Sequence, residues 1–224
     1  MDALRRLRPE LLPFEIALFV AIFVADAKGL IPVSKTPLLL LIAWGSLRLR
    51  GLRASEVGLA FPPGWPRLAA IGVAWGVGMW LLEFFFTMPM LRRVLGYWPD
   101  LTGFNDLVGN LPLLGIYLAF NWVLAAFGEE MVWRGYALPR AAEFLGCGKR
   151  AWIFALVVVN TAFGLAHLYQ GPSGVIQNVV AGVLLGVLYL VTRRNLVAPM
   201  IAHGLGNSID LVVMYLGLYP AVGN

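Results

Sequence analysis

The sequence predicts an all-α protein, a polytopic bundle of seven or eight transmembrane helices occupying residues 1–224 as a single membrane domain. Three observations carry that expectation. Sixty per cent of the residues are hydrophobic, with a mean hydropathy of +0.79. Only 13% are charged, where a soluble domain carries about 25%, so most of the surface faces something other than water. The apolar residues also run in stretches near bilayer length, roughly 20 residues per spanning helix.

Seven such stretches occur, at about 13–31, 37–47, 67–88, 111–140, 150–169, 174–191 and 196–218. The first follows Arg5, Arg6 and Arg8 but ends at Asp26 and Lys28 without a small-x-small cleavage site, so it reads as a retained helix rather than a signal peptide. The second is short. Residues 48–59 mix arginines with leucines and are expected along the membrane surface. Phe61-Pro-Pro-Gly-Trp-Pro then breaks any helix before the third stretch. Tyr97 and Trp98 mark residues 91–110 as an interfacial loop. The fourth stretch is long and interrupted by charges. Gly182 and Gly186 in the sixth are four apart, a small-residue face for close helix packing.

The formal net charge of +5 might suggest nucleic acid, but the basic residues cluster at the ends of apolar stretches, where a membrane protein needs them. With the N-terminus cytoplasmic, thirteen fall inside (Arg5, Arg6, Arg8, Arg48, Arg50, Arg53, Arg67, Arg134, Arg140, Lys149, Arg150, Arg193, Arg194) and four outside (Lys28, Lys35, Arg92, Arg93). That bias predicts seven spans, N-in and C-out. A half-span hidden near 101–117 would add an eighth. The single cysteine, Cys147, excludes an intrachain disulfide. Arginine-rich, lysine-poor usage points to a GC-rich genome and so to a bacterial cytoplasmic membrane.

An ionisable side chain at the centre of a membrane helix costs about 2.5–3.5 kcal/mol on insertion scales, so such residues mark function. Three groups stand out. Glu130 and Arg134, four apart, share a helix face and can pair, while Glu129 is rotated about 100° away and stays free for chemistry. Phe163 and His167 follow on the next stretch, with Asn160 seven residues before the histidine on the same face. His203 and Asn207 are again four apart, with Asp210 near that face. Glu129 and His167 each lie roughly 25 Å along their helices from the shared turn, which sets them level on antiparallel neighbours. The chain has two histidines, and both fall in these groups. Glu83 is a further candidate for lining the same cavity, Glu15 and Asp26 read as interfacial, and Trp133 reads as a packing residue.

The segments Glu129-Glu130 to Arg134, Phe163 to His167 and His203 to Asn207 together resemble the CAAX prenyl endopeptidase and bacteriocin-processing (CPBP, Abi) family of intramembrane proteases. The resemblance covers about 115–210, with a motif-bearing catalytic core at about 111–218. Family proteins commonly have eight membrane helices. The resemblance implies hydrolysis of a peptide bond in a membrane-anchored protein or peptide. Glu129, aided by His167, would activate water, His203 and Asn207 would hold the oxyanion, and Glu130, Arg134, Asn160 and Phe163 would support the site. Implied substrates are prenylated C-terminal tails, leader peptides or sorting anchors, the first disfavoured in a bacterium. Glu129, His167 and His203 would also make a zinc site, but the chain has no His-Glu-x-x-His pair and an active Asn207 fits a metal-independent mechanism better, so no cofactor is expected and zinc stays as the alternative. A transporter would use similar buried groups but should show repeats and broken helices, and no repeat is evident. A non-catalytic scaffold would not need every polar residue.

Overall fold

The computed structural model describes residues 8–32 and 34–222. Arg5 and Arg6 of the charge count lie outside them. Helix makes up 78% of the chain, and no strand occurs among the described residues. Seven long helices follow the seven apolar stretches. They are α1 (Leu12–Ala27), α2 (Thr36–Leu49), α3 (Trp65–Leu95), α4 (Leu111–Phe144), α5 (Lys149–Leu165), α6 (Gly171–Val191) and α7 (Val197–Tyr215). Four of these, α3, α4, α6 and α7, are long and apolar enough to cross a membrane. The described helices α1, α2 and α5 have 16, 14 and 17 residues, at or below the lower end of spanning length. Residues 101–117 hold a short 3₁₀ turn, Thr102–Leu107, and the start of α4 rather than a further long helix.

Proline places most of the starts. Pro13, Pro37, Pro66, Pro112 and Pro172 all sit in the first two positions of their helices, where a missing N–H costs nothing. Two prolines act differently. Pro89 and Pro139 fall inside α3 and α4, and each comes two residues after the end of a π-helical stretch, Glu83–Thr87 and Met131–Ala137. An interior proline lacks its donor and collides with the carbonyl four residues back. Widening the preceding turn relieves both faults.

Helix α3 runs along α7, α5 along α6, and the π-helical part of α4 lies against α2 and α7. Close approach is possible where side chains are absent. A Cβ on Gly76 would lie 2.7 Å from the Ala202 carbonyl oxygen, and one on Gly182 would lie 2.9 Å from the Phe163 ring. The sixth stretch thus uses its glycines for packing, as expected. One buried core joins Leu39, Ala43 and Leu47 of α2 to Val132, Trp133 and Tyr136 of α4 and Phe163 of α5. Trp133 is a packing residue. A second gathers Leu101 and Leu107 of the loop against Met88, Leu211 and Met214. Large apolar side chains such as Phe14, Val20, Phe86, Val94 and Phe154 stay exposed, as a lipid-facing surface requires. The helices and that surface mark an integral membrane protein.

Three charge expectations change. Glu15 is not interfacial but buried, accepting from both terminal nitrogens of Arg50, which also bonds Ser46. Arg50 is 5% exposed, so the segment after α2 does not lie wholly on a surface. Val57 is buried as well, and the Gly58 carbonyl accepts from the Leu196 N–H at 2.9 Å, which ties the segment to the turn before α7. Arg134 is no loop charge. It is 1% exposed, so it leaves the inside set of thirteen. Glu15 finds its counterion 35 residues away, a separation that spacing along the chain does not reveal. Breaking the first pair has a definite expected outcome. Arg50→Met leaves Glu15 buried without its counterion and should cost about 3–5 kcal/mol, while Glu15→Gln with Arg50→Met should recover much of it, as read by thermal unfolding in detergent.

Candidate active site

Arg134 is the centre of the buried polar network. Its Nη1 donates to Glu130 Oε1 at 2.8 Å, and its Nη2 donates to Asn160 Oδ1 at 3.1 Å and to the Gly182 carbonyl at 3.0 Å. The guanidinium also sits 4.7 Å from the centroid of Phe163. One side chain therefore holds α4, α5 and α6 together. Asn160 is oriented in turn by donating to the Leu156 carbonyl at 2.7 Å. The expected Glu130–Arg134 pair is present, and Asn160 serves it rather than His167.

The fourth helix is brought in by His203. Its Nδ1 donates to the same Glu130 Oε1 at 2.8 Å. Glu130, 0% exposed, thus accepts from Arg134 and His203 on one oxygen, and Oε2 has no partner among the described residues. This contact spans 73 residues, and it was not legible in the sequence, which gave Glu130 only its neighbour four residues on. It fixes the imidazole so that Nε2 is the nitrogen left for the cavity.

His167 is positioned by a turn. Helix α5 ends at Leu165, and His167 lies beyond the last helical residue. Its Nδ1 meets the Phe163 carbonyl at 2.9 Å. A carbonyl only accepts, so Nδ1 carries the hydrogen and Nε2 keeps a lone pair. The helix face shared by Asn160 and His167 does not persist, because the chain has left the helix. Phe163 is the spacer between the two parts of the site, edge-on to His167 at 5.0 Å and to His203 at 6.4 Å between ring centroids.

Glu129 behaves differently from its neighbour. Residues Asn121–Glu129 are π-helical, so the rotation expected from a regular α-helix does not apply, yet the division of roles survives. Glu130 is enclosed, and Glu129 is partly exposed to a cavity of about 560 Å³. That cavity is also lined by His167, His203, Asn207, Glu83 and Asp210. All four residues expected to carry chemistry meet there, and Glu83 lines it as expected. Among the described residues no three His, Cys, Asp or Glu side chains form a metal-ligating group. In this side-chain arrangement Glu129, His167 and His203 share a cavity without converging on one point.

Several lining residues were not singled out in the sequence. Asn121 donates to the Gly204 carbonyl at 2.8 Å and to Ser208 Oγ at 3.1 Å, which anchors α7 one residue after His203. Gln177 donates to Glu83 Oε1, and Trp80 Nε1 donates to Asp210 Oδ1 at 2.9 Å. The only signal available was a polar side chain inside an apolar stretch. The rim is tied as well, since the Asp100 N–H donates to the Gln170 carbonyl at 2.9 Å, just after His167.

Arg134→Ala would leave Glu130 buried with only His203 as a partner and release Asn160 and Gly182 together. The expected loss is about 3–5 kcal/mol. Arg134→Lys should rescue little of it, since an ammonium cannot reproduce the fork. Thermal unfolding of the three proteins in detergent checks both.

No curated protein and no solved structure matches the chain. The family comparison does, over the segment from the start of α4 to the part of α7 beyond Asn207. Residues 111–209, which hold all three motifs and the buried network, are similar to the type II CAAX prenyl endopeptidase family described as Rce1-like.

Proposed function

We propose that this protein is an intramembrane endopeptidase that hydrolyses a peptide bond of a membrane-anchored protein or peptide, using water activated by Glu129. The observation that carries the reading is the split between adjacent carboxylates, Glu130 enclosed in an ion-pair network and Glu129 open to a polar cavity between membrane helices. The family match over 111–209 supports the reaction class.

In the proposed mechanism Glu129 takes a proton from water, and His167 Nε2 orients that water by accepting its second hydrogen. The oxygen attacks the scissile carbonyl. The oxyanion is held by Asn207 Nδ2 and by His203, which as imidazolium donates from Nε2 while Nδ1 stays on Glu130. Glu129 then delivers its proton to the leaving nitrogen as the C–N bond breaks. Glu130 and Arg134 keep His203 in place. Seven membrane crossings with a cytoplasmic N-terminus, in a bacterial cytoplasmic membrane, complete the proposal.

Glu129→Gln should abolish cleavage and leave thermal unfolding in detergent unchanged. Membrane-proteome termini from cells carrying the wild type or this variant provide the test, and termini that depend on Glu129 are expected. Identical termini would sink the protease reading. A second expectation concerns metal. Activity should survive chelators, whereas silencing by a chelator with recovery on added zinc would replace the glutamate mechanism by the zinc alternative.

A further inference from the structure

A second cavity, of about 460 Å³, opens where α2 ends and the segment after it turns away. Trp44, Arg48 and Arg53 line it, and no aspartate or glutamate does. Both arginines are exposed, and neither forms an ion pair among the described residues. The carboxylates of this region are committed elsewhere. Glu15 is paired with Arg50 and Glu143 with Arg140. Glu56 accepts from the Arg53 main-chain N–H at 2.9 Å and lines an adjoining cavity. That neighbour also holds Arg140, Arg193 and Arg194, but with Glu56 and Glu143 beside them. The cavity at the end of α2 gathers positive charge without its opposite.

Arg48 is held in a way that suits an anion. Its guanidinium lies over the Trp44 ring, 5.2 Å from the centroid and one turn along the same helix. The ring fixes the cation but supplies no acceptor oxygen. The donors of the guanidinium fork remain for a ligand, and they match phosphate oxygens in pairs. Tryptophan beside arginine also marks the depth at which lipid headgroups lie.

A matching apolar surface continues from the charge. Leu38, Leu41 and Trp44 share the exposed face of α2 with Arg48, at spacings of three and four, while Leu39, Ala43 and Leu47 on the other face belong to the core. From Arg48 to Leu38 is roughly 15 Å along the helix, about the depth of one hydrocarbon leaflet. Two cations at headgroup level above a leaflet-deep apolar stripe have the shape of a phospholipid with a negative headgroup.

We propose that Arg48 and Arg53 bind the phosphate of an anionic phospholipid, with one acyl chain lying along Leu41 and Leu38. The site stands apart from the cavity that holds Glu129, and it does not depend on the protease reading.

Native mass spectrometry of the detergent-solubilised protein tests it. The probes are phosphatidylglycerol, phosphatidylcholine with the same acyl chains, and glycerol phosphate. Tighter binding of one phosphatidylglycerol than of phosphatidylcholine is expected. Its affinity should fall about fivefold in Arg48→Gln and in Arg53→Gln and about thirtyfold in the double variant. It should hold in Glu129→Gln and in Arg193→Gln, which removes a charge from the adjoining cavity. Both substituted arginines are exposed, so the variants should unfold at the wild-type temperature without added lipid. Added phosphatidylglycerol should raise that temperature in the wild type and not in the double variant. Equal binding of the two lipids, equal weakening by Arg193→Gln, or undiminished binding by the double variant would overturn the site. Glycerol phosphate binding as tightly as phosphatidylglycerol would overturn the lipid assignment and leave a simple anion site.

Discussion

Everything at the centre of this protein depends on one buried guanidinium. Arg134 contacts a carboxylate on its own helix, an amide on α5 and a main-chain carbonyl on α6, and through Glu130 it reaches the imidazole on α7. In a medium without water each of these groups would otherwise go unsatisfied. Arginine suits the position because its donors are spread over a rigid plane and can serve several acceptors at once. The network is a constraint on helix register, since a slip of one residue at any of four helices would strand a polar atom. Phe163 closes one face of it and carries the same rigidity to the two histidines.

The division between support and chemistry follows from that network. Where polar groups hold one another, the protein is fixed, and Glu130 is buried with one oxygen doubly bonded. Where commitments stop, a cavity opens with Glu129, His167 and Asn207 on its lining. Two neighbouring glutamates with different surroundings thus do different work. The dual environment comes from an irregular helix, as π-helical turns flank Glu130 on both sides.

Much of this was legible in the sequence. Charges four apart announced the Glu130–Arg134 pair, and polar residues inside apolar stretches announced Glu129, His167, His203, Asn207 and Glu83. What escaped has physical reasons. The His203–Glu130 bond joins positions 73 apart, and local periodicity is silent about contacts between helices. The rotation assumed for Glu129 took a regular α-helix, and His167 was placed on a helix that in fact ends before it. One clue was available. Pro89 and Pro139 stand inside long apolar stretches, where a proline must distort the turn before it, and those turns carry Glu83 and the Arg134 segment. The Arg50 partner of Glu15 and the Asn160 partner of Arg134 were likewise hidden, because partners on other helices are chosen by packing, not by spacing.

One acceptor in the Arg134 network is the main-chain carbonyl of Gly182. Every residue type carries a carbonyl, so no letter in the alphabet of amino acids records this bond. What the position does record is a prohibition, because a Cβ there would press on Phe163 at 2.9 Å and Asn160 at 3.0 Å. Helix α6 therefore takes part in the centre of the protein by omission, through the side chain it does not have. Reading such a site by its functional letters finds three helices, and the fourth becomes visible only when empty space is treated as information.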